Sequence, residues 1–402
     1  MTTRIKSIFI FCVLSVLPFS PSFAQPLKAI AVSGGELSSL VVAENGEVFS
    51  AGKVTGRSGN NTFFDRVLAG EMNTSTGFLE NIIGVGAGWY HALALTKTGQ
   101  ALAWGNNQYG ELGNGTDGAS DYPVWVHAGA QNPSLPDSNL CNIVQVAAGR
   151  SGTHSLAVDS TGGLGLCLAW GDNSLGQCGD NSTTNRVRPV KVLGGDMGTQ
   201  YLQSIIAVSA GEEHSMALSA DGSVYTFGEN SSNTTGGGVG KLGIGDANSN
   251  SYRTTPVKVH GVNNVDFLSD INSISAGWDH SMALQKYVVG SSTYKGRVYC
   301  WGNNGLGWSG YGCVGGRLGD GNSTGISATP VLVKAGEQNP GNPTGTYLEG
   351  IVAIAAGESH SMMLDANGFV YCTGDNKYGQ LGNGTNTSSA TPVRVVGFGG
   401  KG

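Results

Sequence analysis

Short apolar runs follow one another along the whole chain, broken by Gly, Asn, Asp and Pro, and within many of them large apolar side chains alternate with small or polar ones. A period of two marks a half-buried strand, and the breakers between runs are turn formers. An all-β fold is therefore expected. One block of this pattern recurs: NIIGVGAGWYHALAL at 81–95, NIVQVAAGRSGTHSLAV at 142–158, SIIAVSAGEEHSMAL at 204–218, DINSISAGWDHSMAL at 270–284 and GIVAIAAGESHSMML at 350–364, with a degenerate copy, KAIAVSGGELSSLVV, at 28–42. His91, His154, His214, His280 and His360 mark the same position in five copies, and Ser38 holds it in the first. Separations of 63, 60, 66 and 80 residues between these histidines define a unit of about sixty residues, present six times.

Each unit carries the same succession of parts. The run ending in Ala-Gly and the His-Ser-x-Ala-Leu run after it predict two short strands joined by a tight turn. Hairpin turns come next at Asn45-Gly46, Asp221-Gly222 and Asn367-Gly368, where glycine supplies the positive φ of a primed turn. A third strand closes on an aromatic-glycine pair at Trp104, Trp170, Phe227 and Trp301, followed by a glycine-rich loop typified by YGELGNGT (109–116) and YGQLGNGT (378–385). A fourth strand is expected to start at Pro123, Pro189, Pro256, Pro330 and Pro392, each followed by Val, and to lie outermost, since proline cannot sit mid-ladder.

Four short antiparallel strands per unit, with Ala and Gly on the strand nearest an axis, describe a propeller blade. A linear solenoid would show polar capping units at its ends, yet the last unit is among the best preserved. The expectation is a single closed β-propeller of six four-stranded blades, with seven possible, spanning 25–402 in units of about 25–84, 85–145, 146–207, 208–273, 274–353 and 354–402. Closure is expected from pairing of the N- and C-terminal strands: if each Pro-Val strand joins the blade after it, the last one completes blade one. The succession Ala-Gly-x-x-His-Ser-x-Ala-Leu, Gly-x-Val-Tyr-x-Trp-Gly-x-Asn and Tyr-Gly-Gln-Leu-Gly-x-Gly resembles the regulator of chromosome condensation repeat over about residues 28–398. That family usually closes with seven blades. Because it includes a secreted inhibitor that binds β-lactamases through aromatic residues on one propeller face, the resemblance implies that a secreted member can act as a protein-binding disc. The eponymous members promote nucleotide exchange on a small GTPase and bind chromatin. An exported, acidic chain is badly placed for either activity, so none of their functional residues is carried over.

Composition refines this reading. Glycine supplies 66 of 402 residues and charged residues only 12%, which suits one ring of tight turns rather than the two or three domains that length alone suggests. Residues 1–24 carry Arg4 and Lys6, an apolar run from Ile8 to Leu17 and Ser22-Phe23-Ala24, the layout of a secretory signal peptide cleaved before Gln25. That run is short for a bilayer span and no later stretch approaches ~20 apolar residues, so no membrane span is expected. Removing the leader takes away two basic residues and leaves 20 basic against 28 acidic, a net charge of −8. Phosphate binding needs a clustered basic surface, so nucleic acid is not an expected partner. Export to the periplasm or the medium also permits disulfides. Cys300 is expected to pair with Cys313, and Cys167 with Cys141 or Cys178, with free buried thiols as the alternative.

The histidines invite a metal or catalytic reading, but one per blade cannot converge on a zinc ion whose ligands lie at ~2.1 Å. A structural role is expected for all five, with a ring nitrogen bonded to neighbouring backbone. Asp246-Ala-Asn248-Ser-Asn250 begins like a calcium loop, but Ser251 stands where glycine is needed and Val257 where glutamate is needed. No cofactor, metal or catalytic set is expected. What varies is the turn between Ala-Gly and the histidine: Trp89 and Tyr90, Arg150, Glu212 and Glu213, Trp278 and Asp279, and Glu358. The enlarged loop 303–317 adds Trp308 and Tyr311. In a ring these turns fall on one face near the channel mouth, where Trp and Tyr make protein-binding hot spots. The expected function is a secreted, monomeric scaffold that binds another protein through that face. The alternatives are an enzyme, a lyase or hydrolase using Glu212, Glu213 and Asp279, and carbohydrate or cell-surface adhesion through the aromatics.

Overall fold

Each repeat folds into one four-stranded antiparallel sheet whose strands follow chain order. The computed structural model describes residues 27–35, 38–52, 61–72, 74, 77–149, 152–231, 240–246, 251–305 and 315–397. Six such sheets, at 29–66, 82–125, 143–191, 205–258, 271–332 and 351–394, form the blades of a β-propeller. Blade four is representative, with strands Ile205–Ala210, His214–Ser219, Val224–Glu229 and Tyr252–Lys258. Its second strand is buried throughout because blades lie against both faces of the sheet. Its inner strand alternates instead, with Ile205 buried and Ile206 half exposed. The hairpin glycine Gly222 has φ +85°, and a Cβ there would lie 3.1 Å from backbone nitrogens of Asp270 and Ile271 in the next blade. Both the turn and the close approach of the neighbour require glycine there.

The proline strand is outermost in each repeat that carries one, as expected, but proline does not open it. In blade four Thr226 pairs with Val257 and Gly228 with Arg253, so Pro256 lies in a bulge between two ladder positions. A bulge asks for no amide donor, which is why proline is tolerated inside the strand. The expected pairing of N- and C-terminal strands does not occur among the described residues. Ser389–Arg394 pairs with Val370–Gly374 of its own repeat, and Ala29–Gly34 pairs with Ser38–Ala43. The glycine-rich loop turns the chain back onto the sheet it has just left, so every blade is one contiguous segment.

Blades are joined by a repeated side-chain device. Nε2 of His91, His154, His214 and His280 lies 3.0, 2.9, 3.0 and 3.0 Å from Oγ of Ser155, Ser215, Ser281 and Ser361 in the following blade. Each serine hydroxyl donates in turn to a loop carbonyl of the histidine's own blade, at Glu111, Gln177, Lys241 and Arg317. With the hydroxyl proton so committed, the serine oxygen accepts and the histidine donates through Nε2. The ring partner of these four is a serine of the next blade rather than the neighbouring backbone expected. Burial pushes His91 and His214 down to about 3 and His154 to about 4, so these rungs are uncharged at neutral pH. Blade one has Ser38 where the histidine belongs and blade two has Ala92 where the serine belongs; both halves of that rung are missing together.

Contacts of this kind do not recur between blade six and blade one among the described residues. Ser39, at the serine position, is exposed, whereas Ser155, Ser215, Ser281 and Ser361 are fully buried. Val32 is 43% exposed where Val208 is 3%. A Cβ at the hairpin glycine Gly368 would meet nothing within 4 Å among the described residues, whereas at Gly296 it would lie 2.6 Å from the Ile351 carbonyl of the next blade.

The thiols depart from expectation. Cys141, Cys167, Cys178, Cys300 and Cys372 are free, so Cys167 is bridged to neither Cys141 nor Cys178. Cys167 and Cys178 are packed into the apolar core of blades three and four, where a thiol serves as a small hydrophobe. Cys313 and the leader segment lie outside the described residues. No helix among the described residues is long and apolar enough to cross a membrane.

Candidate functional site

The turns between inner and second strands line up along one end of the propeller because successive Ala-Gly corners touch. A Cβ on Gly149, Gly211 or Gly277 would sit 2.7, 2.8 or 2.7 Å from the carbonyl of Gly211, Gly277 or Gly357. No side chain fits at these corners, so the scaffold residues are fixed. The residues between corner and histidine differ from blade to blade, among them Trp89 and Tyr90, Glu212 and Glu213, Trp278 and Asp279, and Glu358 and Ser359.

Seven of the expected partner-binding residues are described. Trp89 and Tyr90 of blade two stack with ring centroids 5.0 Å apart and planes at 20°, and the buried Trp89 Nε1 has no acceptor. Glu212 and Glu213 of blade four and Trp278 and Asp279 of blade five form a second group in which Trp278 stands beside Glu212. Glu358 of blade six is exposed. Arg150, Trp308 and Tyr311 lie outside the described residues.

Beneath the turns lies a further layer that sequence reasoning misses. The loop motif Gly-x-Leu-Gly, or Gly-x-Cys-Gly in blade three, has a variable second residue: Glu111, Gln177, Lys241, Arg317 and Gln380. In four blades its side chain meets the residue after the aromatic-glycine pair or its equivalent. Asn106 donates to Glu111 at 3.3 Å, Gln177 to Asp172 at 3.2 Å, Gln380 to Asp375 at 2.8 Å, and Lys241 is ion-paired to Glu229. Both positions vary within an otherwise repeated frame, and that joint variation is the available signal.

Lys241 is the centre of this layer. Its Nζ lies 2.8 Å from Asp279 Oδ1 and 3.8 Å from Glu212 Oε2, besides the contact to Glu229. Lys241 and Glu229 are each 1% exposed. Burial opposes the ammonium, but Asp279, Glu229 and Glu212 outweigh it and hold Lys241 above the usual lysine range. Burial pushes Glu212 up to about 8, against the pull of Lys241. For Asp279 the balance is reversed: burial would raise it, yet contact with Lys241 holds it below the usual carboxylate range. Two of the three acidic residues that an enzymatic reading would use, Glu212 and Asp279, are thus gathered around a lysine, with Asp279 paired to it directly.

The chain matches two models of the regulator of chromosome condensation (RCC1) repeat, one at 98–158, 165–218, 221–284 and 367–401, the other at 82–111, 205–233 and 351–380. It is 28% identical over 388 residues to the E3 ubiquitin-protein ligase HERC2 of Mus musculus, an alignment covering 95% of this chain but only 7% of that protein. Among solved structures it superposes on human WBSCR16 with a TM-score of 0.67 at 20% identity, covering 93% of this chain and 83% of the other. Prp20p of Saccharomyces cerevisiae follows at 0.60 and 20%, covering 92% and 77%. The first repeat model alone takes in more than half of the 402 residues, and with six four-stranded blades in register with the repeats, the chain belongs to the regulator of chromosome condensation (RCC1) repeat family.

Proposed function

We propose that the chain is a secreted, monomeric propeller scaffold that binds a protein partner through the end formed by its corner turns. The observation that carries this reading is the contrast between the interlocked corners, where glycine is obligatory, and the changing residues mounted on them. The half-buried Trp89–Tyr90 stack offers an aromatic surface, and such groups dominate protein-binding energetics. Yeast Prp20p, which shares the fold, has binding properties toward Gsp1p and histones, and this supports a protein-binding use of the architecture.

The decisive comparison uses a partner captured on the chain, identified by mass spectrometry and then measured in isolation. Trp89→Ala combined with Trp278→Ala is expected to weaken that affinity by about 2 kcal/mol or more, roughly thirtyfold, with Tm nearly constant. Unchanged affinity would remove this end of the propeller as the binding surface. Secretion rests on the leader-like segment; N-terminal sequencing of exported protein should begin at Gln25, and an intact Met1 terminus would contradict it.

A further inference from the structure

Linkers between blades enter the inner strand at the end of the propeller opposite the corner turns, and there blade five carries a cavity of about 390 Å³, a volume in the range of small-molecule sites. It opens where the blade-five hairpin meets the linker to blade six, with the Gly350 amide donating to the Lys295 carbonyl. Arg297, just before the strand Val298–Asn303, lines it together with Gln338, Asn339, Thr346, Tyr347 and Glu349 of the linker. Blade two builds the same linker frame. Gln131 exchanges hydrogen bonds of 2.6 and 3.1 Å with the Cys141 backbone, as Gln338 exchanges 2.8 and 3.1 Å bonds with that of Glu349. Leu140 and Leu348 are buried at equivalent places. Within this frame blade two has Gln100, Asn139 and Cys141 where blade five has Arg297, Tyr347 and Glu349, so folding the linker does not require these three side chains.

The bonding at this cavity is one-sided. Arg297 donates from Nε at 2.9 Å and from Nη2 at 2.7 Å to Glu349 Oε1, and Lys295 Nζ lies 3.2 Å from the same oxygen. Burial would raise Glu349, yet Arg297 and Lys295 hold it below the usual carboxylate range. Among the described residues Arg297 Nη1, Glu349 Oε2, Asn339 Oδ1 and Tyr347 Oη make no hydrogen bond, and Lys334 Nζ, 4.8 Å from the Tyr347 ring centre, has no carboxylate partner. Three cations, Lys295, Arg297 and Lys334, therefore border the cavity against the single carboxylate of Glu349, because Glu337 of the same turn accepts from the Arg394 amide. We propose that the cavity binds an acidic saccharide, a pyranose ring bearing a carboxylate. This goes beyond the protein-binding reading and uses a different end of the molecule. The surplus positive charge calls for an anion, and a carboxylate is met by Lys334 and the uncommitted Arg297 Nη1. A simple anion leaves Glu349 Oε2 and Asn339 Oδ1 without donors. Sugar hydroxyls, each one donor and two acceptors, serve those atoms and the Tyr347 hydroxyl as well.

The probes are the methyl glycosides of glucuronate and galacturonate, titrated against the full chain by ligand-observed NMR at neutral pH and low salt. Methyl glucoside, which lacks the carboxylate, and cyclohexanecarboxylate, which lacks the hydroxyls, are the two controls. Saturable binding of at least one uronide is expected with a Kd of about 1 mM, roughly tenfold or more tighter than either control and weakening as salt is raised. Lys334→Met keeps the aliphatic stem over Tyr347 and should bring the uronide down to the level of methyl glucoside; Arg297→Met should weaken it about tenfold. Tm should stay close to the parent's in both, since Lys334 has no carboxylate partner and the Arg297–Glu349 pair is partly exposed. Absence of saturable uronide binding, a control that binds as tightly, or either variant binding the uronide as the parent does would overturn the proposal. No protein partner takes part in this titration, so its failure is separable from failure of the Trp89 and Trp278 comparison.

Discussion

Lys241→Met is expected to cost the propeller about 3–5 kcal/mol, the scale on which removing one member of a buried ion pair destabilises a protein. The loss comes from what stays behind. Glu229 is 1% exposed and loses its counter-charge with the ammonium, and Asp279 keeps only the influence of Arg317. The penalty should depend on pH in a definite direction. A carboxyl whose pKa is higher folded than unfolded favours the folded state while protonated, and that contribution fades as pH rises through the folded value. Glu212 already shows this, raised from 4.5 to about 8 by burial; removing Lys241 raises it further. The stability gap between variant and parent should therefore widen as pH rises through about 8 in denaturant unfolding. A gap under about 1 kcal/mol, or one that narrows with rising pH, would show that Lys241 does not hold the cluster.

Trp301→Ala is expected to cost a similar ~3–5 kcal/mol by a different mechanism, the loss of a fully buried indole and the cavity it leaves. Trp301 Nε1 donates to the Lys241 carbonyl at 2.8 Å, and the ring lies over Gly243, where a Cβ would come within 2.8 Å of that nitrogen. The glycine φ is +69°, so the loop is shaped to receive the indole. The same carbonyl also accepts from Ser281, so it is not orphaned in the variant and the cost is mainly packing. Trp301→Phe separates the two terms. Blade four carries Phe227 at this position, and the substitution should cost only ~1 kcal/mol, a hydrogen bond's worth. Equal losses for Ala and Phe would refute that partition. Since Trp301 and Lys241 share one loop residue, the Trp301→Ala and Lys241→Met losses should not add.

Much of the architecture can be read from the chain because it is written six times. The His-Ser run, the aromatic-glycine pair and the Gly-x-Leu-Gly loop are each visible as repeats, and four strands per unit follow from turn spacing. Sequence reasoning fails where a local pattern has two possible destinations. Pro392-Val could extend either its own sheet or the first one, and only the return path of the loop selects its own. Cys167 and Cys178 could bridge or pack, and the depth of their core selects packing.

The candidate site divides along the same line. Trp89, Tyr90, Glu212, Glu213, Trp278 and Asp279 are legible because they vary inside a constant frame. Lys241 and Glu229 are not, since twelve residues separate them in the chain and the partner Asp279 comes from another blade.

The sequence by itself determined the unit: the strands, their turns, the order within a blade and the number of blades, because these depend on periodicity and on glycine and proline at fixed places. What the motifs do to one another was decided only in three dimensions. The histidine of one blade donates to the serine of the next, and that serine and the tryptophan beside it donate back to the loop carbonyl of the first, as His214, Ser281 and Trp301 do around Lys241. Repeats that look like three separate motifs are one junction, seen as such only when neighbouring blades are side by side. The same stacking carries Lys241 beneath the carboxylates of two blades, since burial and the charge balance it sets are properties of packed surfaces rather than of any one segment.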